Sequence, residues 1–430
     1  MEKLKQFVKS IKFKDFVGQI YGSTQHDLDY QTKRYLNFVN SCSPFITADD
    51  AFLFSVPGRI EVGGNHTDHN RGRVIASSVN LDAICAAVPA DNNEIVLYSQ
   101  GYEKPFIVDL QTSEPRKEEQ GTTSALIRGI CSKFTKLGYK TSGFIGFMQS
   151  DVLVGSGLSS SAVIEILIGT ILNTLFNDNS VDPVTLAKIG QYAENVYFGK
   201  PCGLMDQTAC SVGGIITIDF KDPENPVLEK VQFDFADYNY RVLIVNTGGN
   251  HADLTEDYAS IPGEMKQVAR FFGKEVLREV SIDQILSSFN QIRESLSDRA
   301  LLRALHFLNE NDRVANQVEA LRSKDIDRFL QIVNESGDSS FKYLQNIYST
   351  HNVEDQSMSL ALALSEDFIR RTGSGACRVH GGGFAGTIQA FIQTDYVQDY
   401  IDYMEKYFGK GAVYNLKVRD LGALFINPLM

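Results

Sequence analysis

Residues 155–162 read Gly155, Ser156, Gly157, Leu158, Ser159, Ser160, Ser161 and Ala162, preceded by an apolar β-branched run and followed by an apolar helical run to Phe176. A glycine-rich turn therefore feeds a helix N-terminus, where backbone N–H groups without intrahelical partners meet the positive end of the helix dipole. That is a seat for phosphate. Three consecutive hydroxyls can donate to phosphate oxygens or ligate a hard cation. The lysine of a Walker loop is missing, which excludes that chemistry. Further along, Glu194 and Asp206 flank the end of a second helix and a glycine-bounded turn. Phosphoryl transfer to an alcohol needs one carboxylate to hold Mg2+ and often a second to accept the hydroxyl proton. A lone helical glutamate is ordinarily a solvated face. Asp206, in the small and apolar stretch 202–207 that leads into strand-like sequence, is harder to assign to the surface.

Two more segments carry polar groups on glycine-rich backbone. Residues 57–70 include Arg59, Asn65, His66, Asp68 and His69 beside three glycines, and read as a turn between two strands. Aspartate accepts from two hydroxyls, Asn and His offer mixed donors and acceptors, and Arg supplies a fixed cation, which together suit a sugar. Residues 373–386 hold six glycines around Arg378 and His380, letting backbone approach a ligand closely. His66, His69 and His380 are too dispersed for a metal motif, and structural histidines are the default reading.

The elements that must position these groups follow from periodicity and punctuation. Helical patterning marks 1–50, with a polar second segment near 31–39. Strands are expected over 51–56, 74–89, 94–99 and 142–150, with a helix over 124–137, a buried one over 159–176, and another from Asp182-Pro183 to Gly199. Strands over 214–220 and 227–235 precede a domain boundary near Phe235, giving domains 1–235 and 236–430. Beyond it lie a strand over 240–246, helices over 263–277, 282–310, 324–336 and 354–372, and strands over 386–392, 412–418 and 423–426. The mixture is α+β in both halves.

At 430 residues the chain exceeds one ordinary domain. A net charge of −12 disfavours nucleic acid and anionic membrane as partners. The six cysteines never form a CxxC pair, and the lysine-rich N-terminus lacks a signal-peptide core, so a reduced, cytoplasmic protein is expected.

Taken in order, the segments resemble the GHMP kinase superfamily and, within it, the galactokinases. Residues 57–70 are similar to the signature PGRVNLIGEHTDYN, 155–162 to GAGLSSSA, 202–207 to CGxMDQ and 378–386 to RMTGAGFGG, while Tyr258 follows Asn246, His251 and Leu254 as the family's tyrosine does. The resemblance implies the two-domain GHMP fold with its active site in the interdomain cleft, and an ATP-dependent sugar 1-kinase, a galactokinase before a galacturonate kinase. Asp206 is then the base toward the anomeric hydroxyl, held ionised by Arg59. Ser161 and Glu194 ligate Mg2+. The backbone of Gly155, Ser156, Gly157, Leu158, Ser159 and Ser160 cradles the ATP phosphates. His66, Asp68, Gly203 and Tyr258 contact the sugar, with Asn65 at the position facing its C6 hydroxyl. ATP and a small sugar are the only partners implied, for a monomer. Sensors that have lost catalysis carry a damaged Ser-Ala step, whereas Ser161-Ala162 is intact here. Three departures stand out: Asn65 replaces the family's glutamate, His69 its tyrosine and His380 its threonine.

Overall fold

The computed structural model describes residues 1–46, 51–152, 157–249 and 254–426. Among them the strands in chain order are β1 (Phe52–Gly63), β2 (Arg73–Pro89), β3 (Glu94–Ser99), β4 (Phe106–Asp109), β5 (Phe144–Ser150), β6 (Ile215–Asp219), β7 (Val227–Val231), β8 (Tyr240–Asn246), β9 (Gly375–His380), β10 (Thr387–Gln393), β11 (Val413–Leu416) and β12 (Leu424–Ile426). One sheet runs β12-β1-β2-β5-β3-β4, with β6 pairing β2 and β7 beyond it; the other runs β11-β8-β10-β9. The architecture is α+β, as expected from sequence.

The first sheet is covered on both faces. Helices Glu2–Val8, Ile11–Ile20 and Gln25–Cys42 bury Phe13, Tyr35 and Phe38 against Leu53, Ile84 and Phe147. On the opposite face lie Thr123–Lys136, Ser160–Phe176 and Pro183–Ala193. Ser160–Phe176 is apolar on all sides, which suits a helix packed between a sheet and other helices. Asp182 accepts from the Val184 and Thr185 N–H groups with Pro183 at the first turn, the start signal read from sequence. The core does not stop at the second sheet: Val314, Leu321, Phe329, Phe391 and Leu416 belong to the same apolar cluster as Phe54, Ile166 and Leu172.

Several expectations are corrected. Residues 57–63 are not turn but the second half of β1, and the turn begins only after Gly63. Residues after Asp206 form a helix, Met205–Val212, not a strand. The stretch 282–310 breaks into Ile282–Ser287, Phe289–Ser295 and Asp298–Arg322, the last capped by Ser297. The helix expected over 263–277 is Thr255–Phe271, running through Pro262. A division after Phe235 leaves β12 with the first sheet, where it pairs β1 through Leu53–Ile426 and Ser55–Leu424. No helix among the described residues is long and apolar enough to cross a membrane.

Candidate active site

β1 carries the first charged group. Its pairing with β2 slips between Pro57 and Arg59 and again between Glu61 and Gly63, and such bulges re-aim side chains beside functional sites. Gly58 lets the loop pack close: a Cβ there would lie 3.0 Å from Val152 Cγ2 and 3.3 Å from the Leu158 carbonyl oxygen. Arg59 grips Asp206 with two bonds, Nε to Oδ1 at 2.6 Å and Nη2 to Oδ2 at 2.7 Å, and donates from Nη1 to the Gly157 carbonyl at 2.6 Å. Ser159 donates its hydroxyl to the same Asp206 Oδ2. Burial raises the Asp206 carboxyl, but the Arg59 charge, its bonds and the Ser159 hydroxyl outweigh it, leaving Asp206 below its ordinary value. The result is a carboxylate that is ionised, oriented and still 30 % exposed.

Ser159 stands at φ 58°, at the head of Ser160–Phe176. Its side chain is turned to Asp206, and no side chain among the described residues caps that helix, so its first N–H groups are available to an anion. Leu158 is core, with a backbone carbonyl that accepts from the Arg59 N–H. Gly157 needs its glycine: at φ 73° a Cβ would meet Thr387 Oγ1 at 2.3 Å. Gly155 and Ser156 lie outside the described residues. In the first turn of the helix, Ser161 Oγ lies 3.0 Å from Glu194 Oε1. Glu194 opens a π turn, Glu194–Phe198, that ends at Gly199 with φ 86°, and such widened turns recur at functional sites. Gln207 donates from Nε2 to Glu194 Oε2 and to Glu165 Oε2, both at 2.9 Å. Burial first, then the Glu194 charge, pushes the Glu165 carboxyl well above its ordinary value, favouring its neutral form. Ser161 and Glu194 thus converge in a geometry that can hold Mg2+, which takes few protein oxygens and keeps waters and phosphate.

The remaining groups gather around Gly203 and the loop after β9. A Cβ on Gly203 would fall 1.9 Å from Asp68 Oδ2, so the glycine lets the turn before Asp206 sit against the Asp68 carboxylate as it stands. Tyr258 donates its hydroxyl to the Gly383 carbonyl at 2.9 Å, and its ring occupies the space a Cβ on Gly382 would need. His66, at φ 58°, bonds the Gly382 carbonyl through Nε2 at 2.8 Å. Burial, then His69, pushes its pKa down to about 4, so it is neutral, with Nε2–H donating and Nδ1 an acceptor.

Arg59, Asp206, Ser159, Ser161, Glu194, Asp68 and Gly203 come together as expected. Asn65 does not face the pocket: it is fully buried and bonded to Glu61, Gly381 and Asn346. His380 is equally internal, accepting from the Glu61 N–H at Nε2 and bonding Thr387 Oγ1 through Nδ1. Sequence reasoning missed Gln207, the Ser159 hydroxyl as a partner of Asp206, and the buried Glu61–Arg378 pair at 2.5 Å. The adjacency of Gln207 to Asp206 was the one available signal.

Comparison with known proteins adds the following. Residues 125–214 match the model for the N-terminal domain of GHMP kinases, and residues 45–89 the galactokinase galactose-binding signature. A galactokinase of Actinobacillus pleuropneumoniae is 30% identical over 80% of this chain and 85% of its own. One of Clostridium acetobutylicum is 28% identical over 87% and 95%. Among solved structures, the Lactococcus lactis galactokinase complexed with galactose superposes with a TM-score of 0.77 at 22% identity, covering 90% of this chain and 98% of the other. The Methanococcus jannaschii mevalonate kinase reaches 0.60 at 15%, covering 86% and 99%.

Proposed function

Because the chain belongs to the galactokinase family of GHMP kinases, we propose that its Arg59–Asp206 pair performs the chemistry of that family on galactose. The protein is a sugar kinase that transfers the γ-phosphate of ATP to galactose. In our reading Asp206 accepts the proton of the anomeric hydroxyl as its oxygen attacks phosphorus. Arg59 keeps Asp206 ionised and offsets charge on the transferred group. The N-terminus of Ser160–Phe176 receives the phosphates. Mg2+, which neutralises phosphate charge when bound, is assigned to Ser161 and Glu194. Asp68, His66, Gly203 and Tyr258 form the sugar side.

The observation that carries this reading is the bidentate Arg59–Asp206 contact directly below that helix N-terminus. A cytoplasmic location is proposed, where six free cysteines with no CxxC spacing are ordinary. A monomer is proposed with ATP and the sugar as partners. The test is ATP consumption with galactose by the native protein and by Asp206→Asn. The variant keeps shape and loses the base, so turnover falls by roughly 10² or more while both substrates still bind. Near-normal turnover in folded Asp206→Asn removes Asp206 from the mechanism.

A further inference from the structure

The signature PGRVNLIGEHTDYN places asparagine at the position of Glu61 and glutamate at the position of Asn65, the reverse of this chain. The two side chains touch, Asn65 Nδ2 donating to Glu61 Oε1 at 3.0 Å. We propose that the carboxylate and the amide have changed places as a unit, so that no side chain at position 65 reads the C6 substituent and the pocket accepts galactose-configured sugars altered at C6. This rests on the galactokinase reading above.

The hydrogen-bonding capacity of Asn65 is spent. Nδ2 donates to Glu61 Oε1 and to the Gly381 carbonyl at 2.7 Å; Oδ1 accepts from Asn346 Nδ2 at 2.8 Å and from Ser340 Oγ at 3.3 Å. None of its surface meets solvent. The carboxylate now on β1 has its own counter-ion. Arg378, fully buried, donates from Nη2 to Glu61 Oε1 at 2.5 Å, and its other nitrogens reach the Val62 and Val379 carbonyls. Removing Glu61 alone leaves that guanidinium buried without its hydrogen-bonded counter-ion. A glutamate at 65 alone sets two carboxylates within hydrogen-bond reach of each other, which cannot both ionise cheaply. With the two exchanged, the contact between positions 61 and 65 again joins one amide to one carboxylate, with only the amide's donation to the Gly381 carbonyl lost, and the order decides which residue of the turn beside His66 is charged.

The test compares melting of the native protein, Glu61→Asn, Asn65→Glu and the double exchange, and kcat/KM on galactose and 6-deoxygalactose. Each single variant should melt lower by about 3 °C or more, with the double exchange recovering part of that loss. A double variant that melts lower by the sum of the singles overturns the exchange. The native enzyme should favour galactose over 6-deoxygalactose by less than about 10²-fold, whereas a pocket built on a hydrogen bond to that hydroxyl rejects the deoxy sugar by roughly 10⁴. Native rejection beyond 10² overturns the specificity claim. If single variants do not fold, the native substrate comparison and the double variant still decide it. If no hexose is phosphorylated at all, the kinase reading has failed, and the melting cycle alone judges the exchange.

Discussion

Arg59 and Asp206 are 147 residues apart in sequence and share two hydrogen bonds. Their pairing fixes how activity should depend on pH. As the proposed base, Asp206 works only as the carboxylate, and its folded-state pKa is depressed, so acid inactivation from this group should begin below the ordinary aspartate range, with none of it near neutrality. Replacing Arg59 by Gln removes the opposing cation and leaves burial unbalanced. The acid limb of kcat/KM should then move up by roughly 1–3 pH units. A limb that stays in place while the rate falls would assign Arg59 to the phosphate alone. At this scale the sequence was informative wherever a residue type is demanded by chemistry, as with Asp206, Arg59 and Asp68. It misled at Asn65, because which way a side chain points in a tight turn is settled by partners at 340, 346 and 381 that no local pattern announces.

Elements position the groups proposed to hold Mg2+ more than their own sequences do. Glu194 sits where an ordinary helix, Pro183–Ala193, widens into a π turn, and Gln207 holds it from the first turn of Met205–Val212. Periodicity located the helix and its Gly199 end, but a π turn leaves apolar spacing almost unchanged and was not legible. The expectation of strand-like sequence directly after Gln207 has the same origin: an eight-residue helix is too short for its period to outweigh neighbouring β-branched residues. Glu194→Gln should raise the Mg2+ concentration needed for half-maximal rate about tenfold or more, with galactose KM little changed. Gln207→Leu removes the shared donor between two carboxylates and should give the same phenotype within roughly 10–100-fold, as for groups that orient a metal ligand. A collapse of galactose affinity without a Mg2+ effect would move Glu194 to the sugar side.

The molecule as a whole is fastened at a carboxylate on β2, opposite Pro57 of β1. Asp82, on β2 and fully buried, accepts from Arg34 Nη1 at 2.8 Å, Tyr21 Oη at 2.5 Å, Arg419 Nη1 at 3.2 Å and the Ser55 hydroxyl. One carboxylate thereby joins the N-terminal helices, β1, β2 and the segment leading into β12, which explains why a single cut near Phe235 does not separate the two sheets. Nothing local could reveal this, since its partners lie at 21, 34, 55 and 419. Burial raises the Asp82 carboxyl, but Arg34 and Arg419 outweigh it and the net shift is downward. A depressed carboxylate contributes stability that is complete above its unfolded-state pKa and is lost as pH falls through the lower folded-state value. Asp82→Asn leaves the buried Arg419 without its carboxylate and Arg34 with Asp151 alone, a loss of about 3–5 kcal/mol. Spread over a chain of this length, that corresponds to a melting temperature lower by roughly 3–5 °C. Well below melting, kcat/KM for galactose should stay within about twofold of native, because Asp82 touches none of Arg59, Asp206, Ser161 or Glu194. Equal melting of the variant and native proteins would show that the junction is held by apolar packing of β12 on β1, with the ion network neutral to it.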